Sequence, residues 1–261
     1  MSEPYKLSGE SVALITASSA GLGAATAKAL ARSGVRVVIN YLSSKDKAEK
    51  LLEELKALQS KSGEAAVDKE SRVLAIMADV SQRTELSRLV EETVHKMGRL
   101  DLVVSNQGWT RMRNFNDLDD NVDESDWDKC FNMNVKSHLF LFHAARKHLE
   151  ASGGSFITTA SLAGVKPSGS SAYSVTKAAQ IHLVKSLALI AGPVRVNSVS
   201  PGILLTDWGL QFPASKVETA IGKSPLKRVA SVEDVAQQIL FLANSASTTG
   251  TNSVLDAGLS L

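Results

Sequence analysis

"TASSAGLG", residues 16–23, lies between the apolar run "SVALI" (11–15) and "AATAKALARSG" (24–34), which has a helical period. An apolar run, small residues with two glycines, then a helix describes a strand that turns directly into a helix N-terminus. Free backbone N–H groups and the positive end of the helix dipole meet there, which suits an anion such as phosphate. Gly21 lets the backbone approach that anion, and Gly23 lets the helix pack closely on the strand. Ala17 stands where a glycine would ease the turn. With a negative φ its methyl is tolerated, whereas a positive φ costs about 1 kcal/mol. Taken alone, the octapeptide also reads as a small-residue turn that binds nothing.

Outward from this stretch, apolar runs alternate with helical periods. "VALIT" (12–16), "VRVVINY" (35–41), "VLAIMA" (73–78), "LDLVVS" (100–105), "SFITT" (155–159), "VRVNSV" (194–199) and "NSVLD" (252–256) read as strands. Between them, Leu22 to Leu30, Ala48 to Leu55 and Leu86 to Met97 show helical spacing. Further helices run from about Trp127 to Glu150, from near Ser171 and from Ser231. The alternation implies a single-domain α/β fold over 1–261, a Rossmann-type, doubly wound, parallel seven-stranded sheet with helices on both faces. In such a sheet, ligands bind beyond the carboxyl ends of the strands, and the first turn receives a dinucleotide's pyrophosphate. The polar stretches 59–71 and 110–125 read as surface excursions.

Composition narrows the function. The 261 residues are 44% hydrophobic and 21% charged, with a net charge of +2, so no polyanion-binding surface and no nucleic-acid partner are expected. No apolar run is long enough for a membrane span, and the N-terminus lacks a signal-peptide core. The final "LSL" lacks the lysine of a peroxisomal signal. The single cysteine, Cys130, reads as a small core residue and fits a reducing, cytoplasmic setting. His138, His143 and His148 lie five apart around one helix and read as surface or interface residues, with no metal site expected.

"YSVTK" places Tyr173 and Lys177 one helical turn apart, on one face. A neighbouring ammonium favours phenolate and would lower the tyrosine pKa, suiting it to acid–base work. Ser161, just past the fifth strand in "TTASLAG", can donate a hydrogen bond to a carbonyl oxygen. Out of context, these are an exposed Tyr–Lys pair and a helix-capping serine. Their position at strand ends in a nucleotide-binding sheet favours the chemical reading.

With these residues in place, the chain resembles the short-chain dehydrogenase/reductase family over essentially its whole length. The family's T-G-x-x-x-G-x-G appears as "TASSAGLG", with Ala17 the departure. Its N-N-A-G appears as "SNQG", keeping Asn106 and Gly108, and its P-G-x-x-x-T as "PGILLT", Pro201 to Thr206. The tetrad falls on Asn134, Ser161, Tyr173 and Lys177. The resemblance implies that Tyr173 exchanges a proton with the carbonyl or alcohol oxygen while Ser161 holds that oxygen. It implies that Lys177 binds the nicotinamide ribose and tunes Tyr173, with Asn134 linking Lys177 to solvent through its backbone carbonyl and a water. Cofactor contacts are implied at Ala17, Ser19, Gly21, Leu22, Gly23, Asn40, Tyr41, Ser43, Ser44, Asp79, Val80, Asn106, Gly108, Tyr173, Lys177, Pro201, Gly202, Ile203 and Thr206. Asp79 also reads as a helix N-terminal residue.

Between Asn40 and Lys45 there is no acid to accept both ribose hydroxyls of NAD(H), and Ser43, Ser44 and Lys45 can hold a 2′-phosphate. NADP(H) is therefore preferred, with NAD(H) still open. Trp109 and Trp208 read as substrate walls or as loop packing, and residues 203–228 as a lid over a small-molecule carbonyl substrate. The resemblance implies a homo-tetramer or homo-dimer through the fourth and fifth helices. The expected activity is NADP(H)-dependent interconversion of a ketone and a secondary alcohol. A catalytically silent cofactor-binding regulator and a sugar-nucleotide epimerase or dehydratase are the alternatives.

Overall fold

The computed structural model describes residues 6–59 and 72–261. Residues 60–71 of the expected excursion, and Tyr5, lie outside the described residues. The elements are β1 (Val12–Ile15), α1 (Gly21–Arg32), β2 (Arg36–Tyr41), α2 (Lys45–Gln59), β3 (Val73–Met77), α3 (Arg83–Met97), β4 (Leu102–Ser105) and α4 (Glu124–Phe131). They continue as α5 (Ser137–Ser152), β5 (Ser155–Thr159), α6 (Ser171–Ile190), β6 (Arg195–Pro201), α7 (Ala214–Lys223), α8 (Val232–Asn244) and β7 (Asn252–Leu255).

The strands form one seven-stranded sheet in the order β3-β2-β1-β4-β5-β6-β7. Every pairing is parallel, from Ala13 opposite Val37 on one side of β1 to Ala13 opposite Leu102 on the other. Side chains alternate across the sheet, which explains why β1 is apolar throughout. Val12 and Leu14 face a core with Leu86, Leu89, Leu141 and Val184 from α3, α5 and α6. Ala13 and Ile15 face the opposite core, with Leu30, Leu51 and Ile239 from α1, α2 and α8. Strand order reverses at β1, between β2 and β4, and the crevice there opens at the carboxyl ends of the strands.

Three local features differ from the expectations above, and a fourth adds to them. The helix expected from Trp127 to Glu150 is interrupted by a π turn, Asn132–Lys136, between α4 and α5. Helix α7 was not anticipated as a separate element. The polar stretch 110–125 is surface-lying but bolted in place: the Arg113 guanidinium pairs with Asp120, Asp123 and Asp126. Asn121 donates to the carbonyls of Asn114 and Asp117 and accepts from the Ser171 amide, joining this loop to α6. Finally, His138 is not a surface residue. It is fully buried, its Nδ1 lies 2.6 Å from Ser105 Oγ, and burial keeps its pKa well below the usual histidine value, so the ring is neutral.

Candidate active site

Ala17 adopts φ +47°, the left-handed conformation that glycine would hold without strain. Its flanking peptide groups are fixed on both sides. The Ala17 amide donates to Asn40 Oδ1 at 3.0 Å, and its carbonyl accepts from Asn106 Nδ2 at 3.1 Å. Asn40, expected among the cofactor contacts, is turned inward: it is buried, and its Nδ2 donates to the carbonyls of Tyr41, Ile76 and Ala78. Both polar atoms of its side chain are committed to backbone groups, so it buttresses the loop.

The N-terminus of α1 has no side-chain cap and no acid in its first turn. Gly21 has φ +57°, and a Cβ on Gly23 would lie 2.6 Å from Ser18 Cα. Both glycines are therefore required by this backbone, and an uncapped helix end is left for an anion. Ser43, Ser44 and Lys45 are exposed at the end of β2. Asp79 Oδ1 accepts from the Ser81 amide at 2.9 Å, so part of its carboxylate serves the turn into α3.

Two cavities adjoin at the carboxyl ends of β4, β5 and β6. The first, about 210 Å³, is lined among others by Leu22, Asn106, Gly108, Lys177 and Thr206. The second, about 250 Å³, lies under the segment after β6 and includes Met112, Phe212 and α7 residues. Ser161, Tyr173, Pro201, Gly202 and Trp208 line both.

Local structure aims the groups at this junction. Ser170 caps α6 by accepting from the Tyr173 amide, and Ser174 Oγ donates to the Ala163 carbonyl, tying α6 to the turn that carries Ser161. Ser161 Oγ accepts from the Ala163 amide and lines both cavities beside Tyr173. Lys177 Nζ donates to the Thr159 carbonyl at 2.8 Å and to Gln180 Oε1 at 2.9 Å. A Cβ on Gly108 would lie 3.3 Å from that ammonium and 3.5 Å from Asn134 Oδ1, so the absent side chain leaves the ammonium open to the cavity. Asn134, within the π turn, accepts from the Trp109 amide at 2.7 Å and donates to the Trp109 carbonyl and to Thr176 Oγ1. π turns insert one extra residue and redirect side chains, and here the turn supports the loop that carries Gly108 and Trp109.

The electrostatics correct one expectation. The Tyr173 pKa is raised, not lowered: burial dominates, and the Ser161 hydrogen bond only partly offsets it. Lys177 Nζ lies 5.7 Å from the Tyr173 ring centre and is held by Thr159 and Gln180 instead of by the phenol. Burial also lowers the Lys177 pKa from 10.5 to about 7. Cys130, beneath the site, is buried with its pKa raised to about 11, so the thiol stays protonated.

A family model described as enoyl-(acyl carrier protein) reductase matches residues 16–260. A short-chain dehydrogenase from Burkholderia cenocepacia, solved in complex with NADP, superposes with a TM-score of 0.85 at 29% identity, over 98% of this chain and 100% of that one. This chain belongs to the short-chain dehydrogenase/reductase family. It is 36% identical over 255 residues to a granaticin polyketide synthase ketoacyl reductase of Streptomyces violaceoruber, covering 96% of each chain. It is 34% identical over 260 residues to a versicolorin reductase of Emericella nidulans, covering 94% of this chain and 92% of that one. The protein is thus an oxidoreductase of the short-chain dehydrogenase/reductase type.

Two polar residues beside this short-chain dehydrogenase/reductase site were missed by sequence reasoning. Gln107, where the family motif has alanine, accepts from Thr16 Oγ1 and Ser105 Oγ and donates to Ser137 Oγ at 2.9 Å. This buried strut joins β1, β4 and α5 behind the cofactor loop. Gln180 holds Lys177 and also donates to the Thr159 carbonyl. Its position three residues after Lys177 on a helix was the available signal. Among the described residues there is no cluster that would hold a metal ion, and no helix is long and apolar enough to cross a membrane.

Proposed function

We propose that this protein is an NADP(H)-dependent reductase of ketones, working reversibly on the corresponding secondary alcohols in the cytosol. The observation that carries the reading is the junction of the two cavities at Ser161 and Tyr173, which line both, with Lys177 opening only onto the first. The first cavity fits a dinucleotide. It adjoins an uncapped helix N-terminus, two glycines whose Cβ positions are strained or filled, and a gap left by Gly108 in front of an ammonium. The exposed Ser43, Ser44 and Lys45, with no carboxylate before Asp46, favour a 2′-phosphate over a bare ribose. When bound, the nicotinamide supplies the hydride.

The chain's own groups supply the rest. Burial keeps the Tyr173 phenol protonated through neutral pH, ready to give its proton to the carbonyl oxygen in the reductive direction. Ser161 Oγ accepts from a backbone amide, leaving its own hydrogen to donate to the same oxygen as negative charge develops. Lys177, near half-charged at pH 7, faces the ribose position and supports reprotonation of the phenol. Asn134 holds the Trp109 loop beside it and provides the relay to solvent. Residues 203–228 cover the substrate side, with Trp208 as a wall. Exposed Phe131, Leu139 and Val175 on α4, α5 and α6 support assembly into a homo-dimer or homo-tetramer.

The test is oxidation of NADPH at 340 nm against a panel of cyclic ketones. Tyr173→Phe is expected to lower kcat by a factor of about 10² to 10⁴ with NADPH affinity unchanged. Full activity in Tyr173→Phe, or tight NADPH binding with no turnover of any ketone by the unaltered protein, would overturn the proposal.

A further inference from the structure

The second cavity has an uneven chemistry from one end to the other. Its inner end is the Ser161–Tyr173 pair. From there an aromatic wall runs outward: the Tyr173 and Trp208 ring centres are 6.4 Å apart, and Trp208 meets Phe212 edge-on at 5.3 Å. At the wall's outer end, Lys216 Nζ stands 4.6 Å over the Phe212 ring. Helix α7 turns the positions Lys216, Thr219, Ala220 and Lys223 towards the cavity, the i, i+3, i+4, i+7 set that forms one helical face. The lining thus holds two lysines two helical turns apart on α7, Lys177 not among them, and no acidic residue. Glu218, the one acid on α7, lies nearly opposite Lys216 around the helix.

An apolar, ring-lined slot favours flat ring systems, which stack on Trp208 and Phe212. Two lysines on the α7 face of the lining, without a carboxylate in it, add a local positive potential that an apolar substrate would leave unused. The Lys216 contact with the Phe212 ring orients that ammonium before any ligand arrives. We propose that Lys216 and Lys223 form an anion subsite. The substrate is then a flat ring ketone that carries an acidic group, a carboxylate or an ionised phenol, on the side remote from the carbonyl. This rests on the reductase reading for the carbonyl end, while the anion end stands on the α7 geometry alone.

The experiment uses the full chain loaded with NADP⁺ and two probes: 2-tetralone bearing a 6-carboxylate, and the same ketone with a neutral 6-carboxamide. Calorimetry gives Kd for each, and NADPH oxidation gives turnover separately. The carboxylate is expected to bind about tenfold more tightly than the carboxamide, the size of effect given by two partly screened ion pairs. That preference is expected to shrink in 0.5 M salt, to vanish in the Lys216→Gln, Lys223→Gln double variant, and to persist when both are arginine. Equal affinities for the two probes, binding by neither, or a preference that survives the double glutamine change would overturn the subsite. If the charge preference is present but neither ketone consumes NADPH, the subsite stands and the reductase reading falls. If both ketones are reduced with no charge preference, the reverse holds.

Discussion

Ala17→Gly is expected to make this protein more stable. At φ +47° the alanine methyl is pressed against its own backbone, a conformation that costs an L-residue about 1–2 kcal/mol. The methyl is exposed, so removing it forfeits no packing. The bonds to Asn40 and Asn106 use only the backbone of residue 17 and survive the change. Opposing this, glycine adds freedom to the unfolded chain, worth about 0.4–1 kcal/mol. The strain is the larger quantity, leaving a net gain of about 0.5–1 kcal/mol, or a rise in Tm of about 1–4 °C for a chain of this size. Calorimetric melting at fixed protein concentration measures it, because oligomerisation makes Tm concentration-dependent. Gly21→Ala serves as the mirror control. It places a methyl at φ +57° and 3.3 Å from Thr206 Cγ2, so it should lower Tm. A drop in Tm for Ala17→Gly would refute the strain argument and show that the loop relaxes to negative φ.

Two further outcomes follow from the buried lysine. Lys177 has its folded pKa depressed from 10.5 to about 7, so folding opposes its charge. Below pH 7 both folded and unfolded chains hold the proton and the full penalty applies. Between pH 7 and 10.5 the folded chain has released it, and wild-type stability climbs with pH. Lys177→Met should therefore exceed the wild type in stability by more at pH 6 than at pH 9.5 in chemical denaturation, and a constant difference would refute this. Gln180→Leu removes one acceptor from the ammonium, so Lys177 should lose its proton at lower pH than in the wild type. Carbon-13 NMR of lysine Cε, assigned with Lys177→Met, reads that midpoint; an unchanged or raised value would exclude the role given to Gln180.

The strand–helix alternation was readable because parallel strands are buried on both faces and appear as uninterrupted apolar runs. "SFITT" coincides with β5 residue for residue. Helix α7 was not readable because it buries only Ala220 fully, so it lacks a stripe facing the core. The π turn at Asn134 leaves no mark in composition or period, since it changes register without changing residue type. For the site, spacing brought Ser161, Tyr173 and Lys177 to one place, but it misjudged the phenol's acidity. One helical turn between two residues says nothing of the burial that separates charge from water, or of the acceptors that draw the lysine aside. Position at a strand end suggests an outward contact for Asn40, and periodicity says nothing of its amide, which is wired inward to the loop after β1 and to the backbone of β2 and the end of β3.

The Gln107 strut constrains how this sequence can drift. Its amide satisfies hydroxyls from Thr16 and Ser137, which lie in different elements with no route to solvent. Changing Gln107 to alanine would take away one of the bonds of each hydroxyl, but Thr16 keeps the Val104 carbonyl and the Asn106 amide, and Ser137 keeps the Met133 carbonyl, so the cost should stay near the lost net bonds, about 1 kcal/mol each. Thr16, Ser105, Gln107 and Ser137 thus share one buried hydrogen-bonded set spanning β1, β4 and α5, and substitutions among them should combine non-additively.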